Sequence, residues 1–272
     1  KSQRYVDGID LNCGCPQDWA IREQIGGFLS SKPQIVKEMV IEARKQTTLP
    51  VSIKIRLADD MRQTIELVRR AESVGISWIT VHGRTVSERT RVSVHLDSIK
   101  NIKESVQIPV IANGNIFTIA DINHVVRETN VDGVMCARGI LANPALFAGY
   151  SRVPVECLSD YLSLALQYGG NFTIHKTQLQ HMILPHLTRY ERIEYTDLSD
   201  GSNTTRVLTR TSSKFIKSYL NSRNRSSFVG FNYDDAFAHF FNRPNEPSKR
   251  RGRSRSPLNL HDLSMFQCVW TD

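Results

Sequence analysis

Along residues 6–149, short runs rich in Val and Ile alternate with segments of helical periodicity, and this alternation restricts the fold more than any other property of the chain. Residues 6–11, 51–55, 76–81, 110–112 and 134–136 read as strands. Between the first two, residues 33–46 read as a helix, with Pro33 in its first turn and Ile35, Val36, Met39, Val40 and Ala43 as its apolar positions. Residues 59–74 follow with Met61, Ile65 and Val68 at helical spacing and Gly75 as the stop. Residues 97–105 and 118–128 supply two more helices, and Asn143-Pro144 reads as an N-cap followed by a first-turn proline. Strands joined through helices run parallel, because the crossover returns each strand to the same end of the sheet. The expected class is therefore α/β.

Each strand candidate runs into a polar or glycine-bearing turn. In order these are Asp10-Leu11-Asn12-Cys13-Gly14-Cys15-Pro16, Ser52-Ile53-Lys54-Ile55-Arg56, Thr80-Val81-His82-Gly83-Arg84-Thr85, Ile111-Ala112-Asn113-Gly114-Asn115 and Val134-Met135-Cys136-Ala137-Arg138-Gly139. In a parallel barrel the carboxyl ends of the strands are where catalytic groups collect. Cys15, fixed on its turn by Pro16, reads either as a proton-donating thiol or as a structural cysteine, and Cys13 as packing. Lys54 alternates out of phase with Ile53 and Ile55, so it is either a cation aimed inward at an anionic partner or a side chain snorkelling from the strand end. Arg56 shares its face. His82 ends its strand as a hydrogen-bonding imidazole that titrates near neutrality or as a structural histidine, with Arg84 in the loop beyond. Asn113-Gly114-Asn115 and Ala137-Arg138-Gly139 suit an anion, with glycines admitting close N–H approach and Arg138 a bidentate charge.

As an ordered set over about residues 5–150, these motifs resemble the tRNA-dihydrouridine synthases, flavin enzymes that reduce uridine in tRNA. The CGCPQ form of the cysteine motif and the run SWITVHGRT are most similar to the eukaryotic dihydrouridine synthase 4 branch. The resemblance implies a (β/α)8 TIM barrel in which the five strands are barrel strands four to eight and the first three are missing. It also implies a following helical domain. It makes Cys15 the acid that protonates C5 of uracil while hydride passes from reduced FMN to C6. Lys54, His82, Asn113, Gly114, Asn115, Ala137 and Arg138 become FMN contacts, with Arg56 and Arg84 toward RNA. NADPH or NADH is the implied reductant, tRNA the partner, and the 20a and 20b positions of the D-loop the implied targets. Two positions depart from the common pattern: Asn115 replaces an acid, and Ala137 stands where many members have glycine.

Composition adds boundaries. The 272 residues hold 35 Lys and Arg against 27 Asp and Glu, a net charge of +8 that suits a polyanion. Residues 1–150 carry 19 basic and 16 acidic side chains (+3), residues 151–272 carry 16 and 11 (+5), so RNA affinity is expected mainly from the second part. Within it, Leu158, Leu162, Ala165 and Leu166, then Leu179, Met182, Ile183 and Leu187, repeat at helical spacing, giving a small helical domain over 151–200. Residues 201–272 read as a poorly ordered basic Ser/Arg tail. No run of 18 apolar residues exists to span a membrane, and five irregularly spaced cysteines fit a reducing cytoplasmic or nuclear setting better than disulfides or a metal centre. The chain is expected to be monomeric. Its first residue is Lys rather than Met, so it reads as N-terminally incomplete, and five strands alone are expected to hold FMN weakly. The competing readings are an FMN oxidoreductase for a small molecule and an inactive RNA-binding fragment.

Overall fold

The computed structural model describes residues 6–169, 172–186, 189, 192 and 268–270. The chain divides into two units, residues 1–139 with 264–272, and residues 140–263. In the first unit β1 (Ile9–Cys13), α1 (Asp18–Arg22), a 3-10 turn at Gly26–Ser31 and α2 (Pro33–Gln46) are followed by β2 (Val51–Leu57) and α3 (Met61–Ser73). Then come β3 (Ile79–Thr85), α4 (Leu96–Ser105), β4 (Val110–Asn113), α5 (Ile119–Thr129), β5 (Gly133–Cys136) and the start of α6 (Arg138–Ala142). The first five strands are parallel in sequence order, as the alternation of the sequence requires.

Where the tail was expected to contribute no order, β6 (Cys268–Trp270) pairs antiparallel with β5, Cys136 opposite Cys268. The sheet thus has six strands rather than five. Residues 193–267, which include the Arg/Ser run, lie outside the described residues.

Strand limits follow from partners more than from composition. β1 begins at Ile9, whose N–H donates to the Pro50 carbonyl at 2.9 Å, and runs on to Cys13 opposite Ile55. Val6, expected inside this strand, is exposed. β3 likewise starts at Ile79 on the Pro109 carbonyl and continues through Gly83-Arg84-Thr85, which the sequence suggested as loop. A register shift between Arg56 and Leu57 of β2 absorbs the extra length of β3.

Local chemistry sets the helix ends. Asp60 accepts the Arg62 N–H at 2.9 Å and caps α3, and Gly75 leaves the helix at φ +82°. Thr118 and Asp121 form a reciprocal capping box on α5, and Asn130 ends it at φ +54°. The face of α3 that packs inward is Thr64, Leu67, Val68 and Ala71, so of the Met61, Ile65 and Val68 expected from spacing only Val68 is fully buried. Thr64 is tolerated there because its hydroxyl accepts the Ala58 N–H at 2.9 Å. With Ile53, Ile55, Ile79, Val81, Ile99 and Ile102, all fully buried, this face makes the core between sheet and helices. Each such side chain contributes roughly 1.5–3 kcal/mol.

The second unit contains α7 (Val155–Tyr168) and α8 (Phe172–Ile183), with Leu158, Ala165, Leu179, Met182 and Ile183 buried. The side chains of Leu162, Leu166 and Leu187 lie outside the described ones. Asn143-Pro144 does not open a regular helix. Asn143 accepts the Ala145 N–H at 3.2 Å and donates to the Tyr150 carbonyl at 2.6 Å, which closes a turn. Among the described residues no helix is long and apolar enough to cross a membrane.

Candidate active site

Parallel register carries the strand-end motifs into rows across the sheet. Arg56, His82, Asn113 and Met135 are direct neighbours along one row at the carboxyl ends of β2 to β5. Asn12, Lys54, Thr80 and Ile111 form the row beneath. Asp10 and Ser52 lie in the row below that, with the Ser52 hydroxyl donating to the Asp10 carboxylate at 2.6 Å. Since side chains alternate faces, all these polar groups lie opposite the Ile53, Ile55, Ile79 and Val81 face that meets the helices.

The cysteine turn lies against this face. Gly14 passes so close to β2 that a Cβ there would sit 3.1 Å from the Ile55 carbonyl carbon, and its N–H donates to Asn12 Oδ1 at 3.1 Å. Cys15 is half-buried and Cys13 fully buried. Burial, with the Asp10 carboxylate adding to it, pushes the Cys13 thiol up to about 12. That thiol is chemically quiet, in keeping with a packing residue. Two glycines absent from the sequence reading hold Cys15. The Gly27 N–H donates to the Cys15 carbonyl at 2.7 Å, and a Cβ on Gly26, at φ +60°, would meet the Cys15 Cβ at 2.7 Å. The signal was present as a Gly-Gly pair eleven residues after the turn, but only the fold brings it there.

Lys54 is half-buried, and burial with the neighbouring Arg56 guanidinium lowers its amine to about 8, against the opposing pull of Asp10 and Cys15. Burial raises the Asp10 carboxyl, opposed by the Ser52 hydrogen bond and Lys54. Beside Lys54 in its row, Thr80 is fully buried and its hydroxyl has no hydrogen-bond partner among the described residues.

His82 does not titrate near neutrality as its residue type suggested. Burial and the cations Arg56, Lys54, Arg84 and Arg138 depress it to about 3. Its Nε2 lies 3.3 Å from Arg84 Nη1. A guanidinium only donates, so Nε2 accepts and the proton of the neutral ring sits on Nδ1. Arg84 itself is 1% exposed, with Nε donating to the Val92 carbonyl at 2.6 Å. The contact with RNA phosphate expected of it is incompatible with that burial. Arg56 is similarly engaged, giving Nη1 to the carbonyls of Thr85 at 2.9 Å and Glu88 at 3.1 Å.

A pocket at the ends of β3, β4 and β5 is lined by His82, Asn113, Gly114, Asn115, Ala137 and Arg138, among others. Asn113 is anchored by donating Nδ2 to the Met135 carbonyl at 2.9 Å. Gly114 at φ +126° and Asn115 at φ +53° turn the chain back, and Asn115 Oδ1 accepts Arg138 Nη2 at 3.2 Å. The Arg138 guanidinium lies 5.2 Å from the centre of the Phe117 ring. Gly139 admits no side chain, since a Cβ there would lie 2.2 Å from the Ile116 carbonyl oxygen.

The donor set on this face suits an anionic, heteroaromatic group such as FMN. Lys54 offers a cation, Arg138 a second one beside glycine turns, His82 a neutral ring, and Thr80 a buried hydroxyl in want of a partner. All the flavin residues expected from the sequence lie on this one end of the sheet.

The family model described as dihydrouridine synthase (Dus) matches residues 1–215. A Homo sapiens protein named as tRNA-dihydrouridine(20a/20b) synthase-like is 48% identical over 201 residues, 73% of this chain and 63% of that protein. The Schizosaccharomyces pombe tRNA-dihydrouridine(20a/20b) synthase is 40% identical over 191 residues, 70% of this chain and 59% of its own. The Saccharomyces cerevisiae protein of the same name is 40% identical over 171 residues, 61% of this chain and 47% of its own. The chain therefore spans about half to two thirds of the length of these relatives. With the family match extending over more than half of its residues and its strand-end motifs assembled at one edge of a parallel sheet, the chain belongs to the dihydrouridine synthase family.

Proposed function

We propose that this chain is the strand-four-to-eight part, with its helical appendage, of an eight-stranded barrel that reduces uridine in tRNA to 5,6-dihydrouridine. The targets are positions 20a and 20b, as in the names of its relatives, and NADPH or NADH is the reductant. The observation that carries the reading is that Lys54 and His82 stand in adjacent rows of the sheet with the Cys15 thiol, just past β1, close enough for its charge to act on Lys54. FMN fits the donor set, and when bound and reduced it supplies hydride to C6 of the uracil ring.

The chain's own residues do the rest. Lys54 and the His82 ring hold the flavin's polar edge, while Asn113 to Asn115, Ala137 and Arg138 hold its phosphate. Arg56 and Arg84 keep the region of positive potential in which negative charge on the flavin is favoured, and Arg84 fixes the His82 tautomer. Cys15, presented by Gly14, Gly26 and Gly27, gives its proton to C5 of uracil. Cys13 takes no part, because its thiol faces the core.

The test is dihydrouridine content of tRNA treated with the complete enzyme carrying Cys15→Ala or Cys13→Ala. Cys15→Ala should suppress product strongly and leave the yellow flavin bound, and Cys13→Ala should leave product formation largely intact. The reverse order of damage overturns the assignment, and a colourless enzyme that ignores added FMN overturns the flavin reading.

A further inference from the structure

We propose that the end of β3 and the loop that follows it, residues 84–95, form a preformed docking element for the sugar–phosphate backbone of RNA, with Arg89 and Arg91 as its contact residues. The proposal rests on the tRNA reading above and adds a surface to it. Charge totals pointed away from the barrel part, whose net is only +3 against +5 for residues 151–272. The structure shows that the smaller excess is concentrated.

The loop is held from beneath. Arg56 takes the Thr85 and Glu88 carbonyls, and the buried Arg84 takes those of Val92 and Thr90, at 2.6 and 3.5 Å. Glu88 closes the ring, accepting the Thr85 N–H at 2.7 Å and meeting His95 Nε2 at 2.8 Å. The His95 N–H donates to the Gly83 carbonyl at 2.7 Å. Gly83 packs closely beneath, where a Cβ would meet Val94 Cγ1 at 2.6 Å and Ile99 Cδ1 at 2.8 Å. Four loop carbonyls thus turn inward onto two arginines, and the residues of the tip, 89 to 93, are all exposed.

Two of those exposed residues are cations without an intramolecular counter-ion. The Arg89 carbonyl accepts the Val92 N–H at 3.1 Å, but neither the Arg89 nor the Arg91 guanidinium has a hydrogen bond or ion pair among the described residues. The charged group felt between Arg89 and the strands is another cation, Arg56. The loop's one carboxylate, Glu88, is engaged by His95 and the Thr85 N–H. Like charges gathered on a braced loop carry an electrostatic penalty that an external anion relieves, and bracing removes most of the ordering entropy that binding otherwise costs. Guanidinium forks match phosphate oxygens in pairs. The loop leaves the same end of the sheet as the Cys15 turn and the 113–115 and 137–139 loops. A nucleotide whose base enters the site from that end brings its neighbouring phosphates past this edge.

The experiment is tRNA binding to the full chain across a salt series, from about 50 to 300 mM NaCl, for wild type, the double variant Arg89→Ala/Arg91→Ala and the double variant Arg89→Lys/Arg91→Lys. Counterion release predicts that the alanine pair lowers the slope of log K against log salt by about 1.4–1.8 and weakens binding about tenfold or more at low salt. The lysine pair should keep most of the slope, since it keeps the charge. An alanine variant that unfolds at the wild-type denaturant midpoint yet shows this loss supports the loop as a contact surface. Wild-type affinity and slope in the alanine variant overturn it while leaving the tRNA reading intact. A wild-type chain that binds no tRNA at all overturns both.

Discussion

Lys54 gives the sharpest quantitative expectation, because burying its amine costs stability. In an unfolded chain its amine titrates at 10.5, and in the fold at about 8. The drop corresponds to about 3 kcal/mol of differential interaction. Below pH 8 both states are protonated and the folded state bears the whole penalty of a partly desolvated cation beside Arg56. Between pH 8 and 10.5 the unfolded chain binds the extra proton, so this contribution makes the protein more stable as pH rises, and above 10.5 the penalty is gone. Lys54→Met removes it at every pH. The variant also deprives Asp10 of an attractive neighbour, which offsets part of the gain. Lys54→Met should therefore be more stable than wild type by about 1–3 kcal/mol at pH 7, with the difference shrinking to near zero by pH 10.5. Urea unfolding followed by circular dichroism at several pH values measures it. Cys13, raised to about 12, gives an opposite slope above its ordinary value, but equally in both proteins, so the difference curve isolates Lys54. A variant less stable than wild type at pH 7, or a difference that does not change with pH, refutes the reasoning.

Other expectations can be checked separately. Gly139→Ala places a methyl group 2.2 Å from a backbone oxygen and should destabilise by about 1–3 kcal/mol in the same unfolding assay, with loss of flavin retention. Alkylation at pH 8 followed by peptide mass spectrometry should label Cys15 and spare Cys13 in the folded chain, and labelling of both at equal rates contradicts the burial of Cys13. Nitrogen-detected magnetic resonance of His82 should show a neutral Nδ1–H ring unchanged from pH 8 to pH 5, since the group titrates at about 3. An inflection near 6.5 would mean that the surrounding arginines do not act as described.

Much of this molecule is written locally. The apolar runs at 51–55 and 76–81 and the helical segment between them announce a parallel sheet, because alternation and capping depend on residues only a few positions apart. The candidate site residues were singled out for the same reason, most being polar or glycine interruptions at strand ends. Details of extent were not legible, among them the run of β3 through Thr85 and the pairing of β6. β1 slid to Ile9–Cys13 because pairing with Val51–Ile55, not its own composition, limits it. The buried stripe of α3 passed through Thr64 because Ala58 offered that hydroxyl a partner.

Roles within the site needed the third dimension. Sequence made His82 a residue able to titrate near neutrality and Arg84 a possible phosphate contact. Burial, and then four cations that converge on His82 only when the strands align, hold it neutral. Arg84 is drawn into the loop it braces and leaves Arg89 and Arg91 outside. Gly26 and Gly27 matter only because the chain folds back on Cys15. Covalent order determined which chemical groups this protein possesses and the alternation of strands and helices over residues 6–136. Register, burial and the summed field of distant charges decided their protonation, their reach and their division of labour, because those quantities depend on neighbours dozens of residues away in the chain.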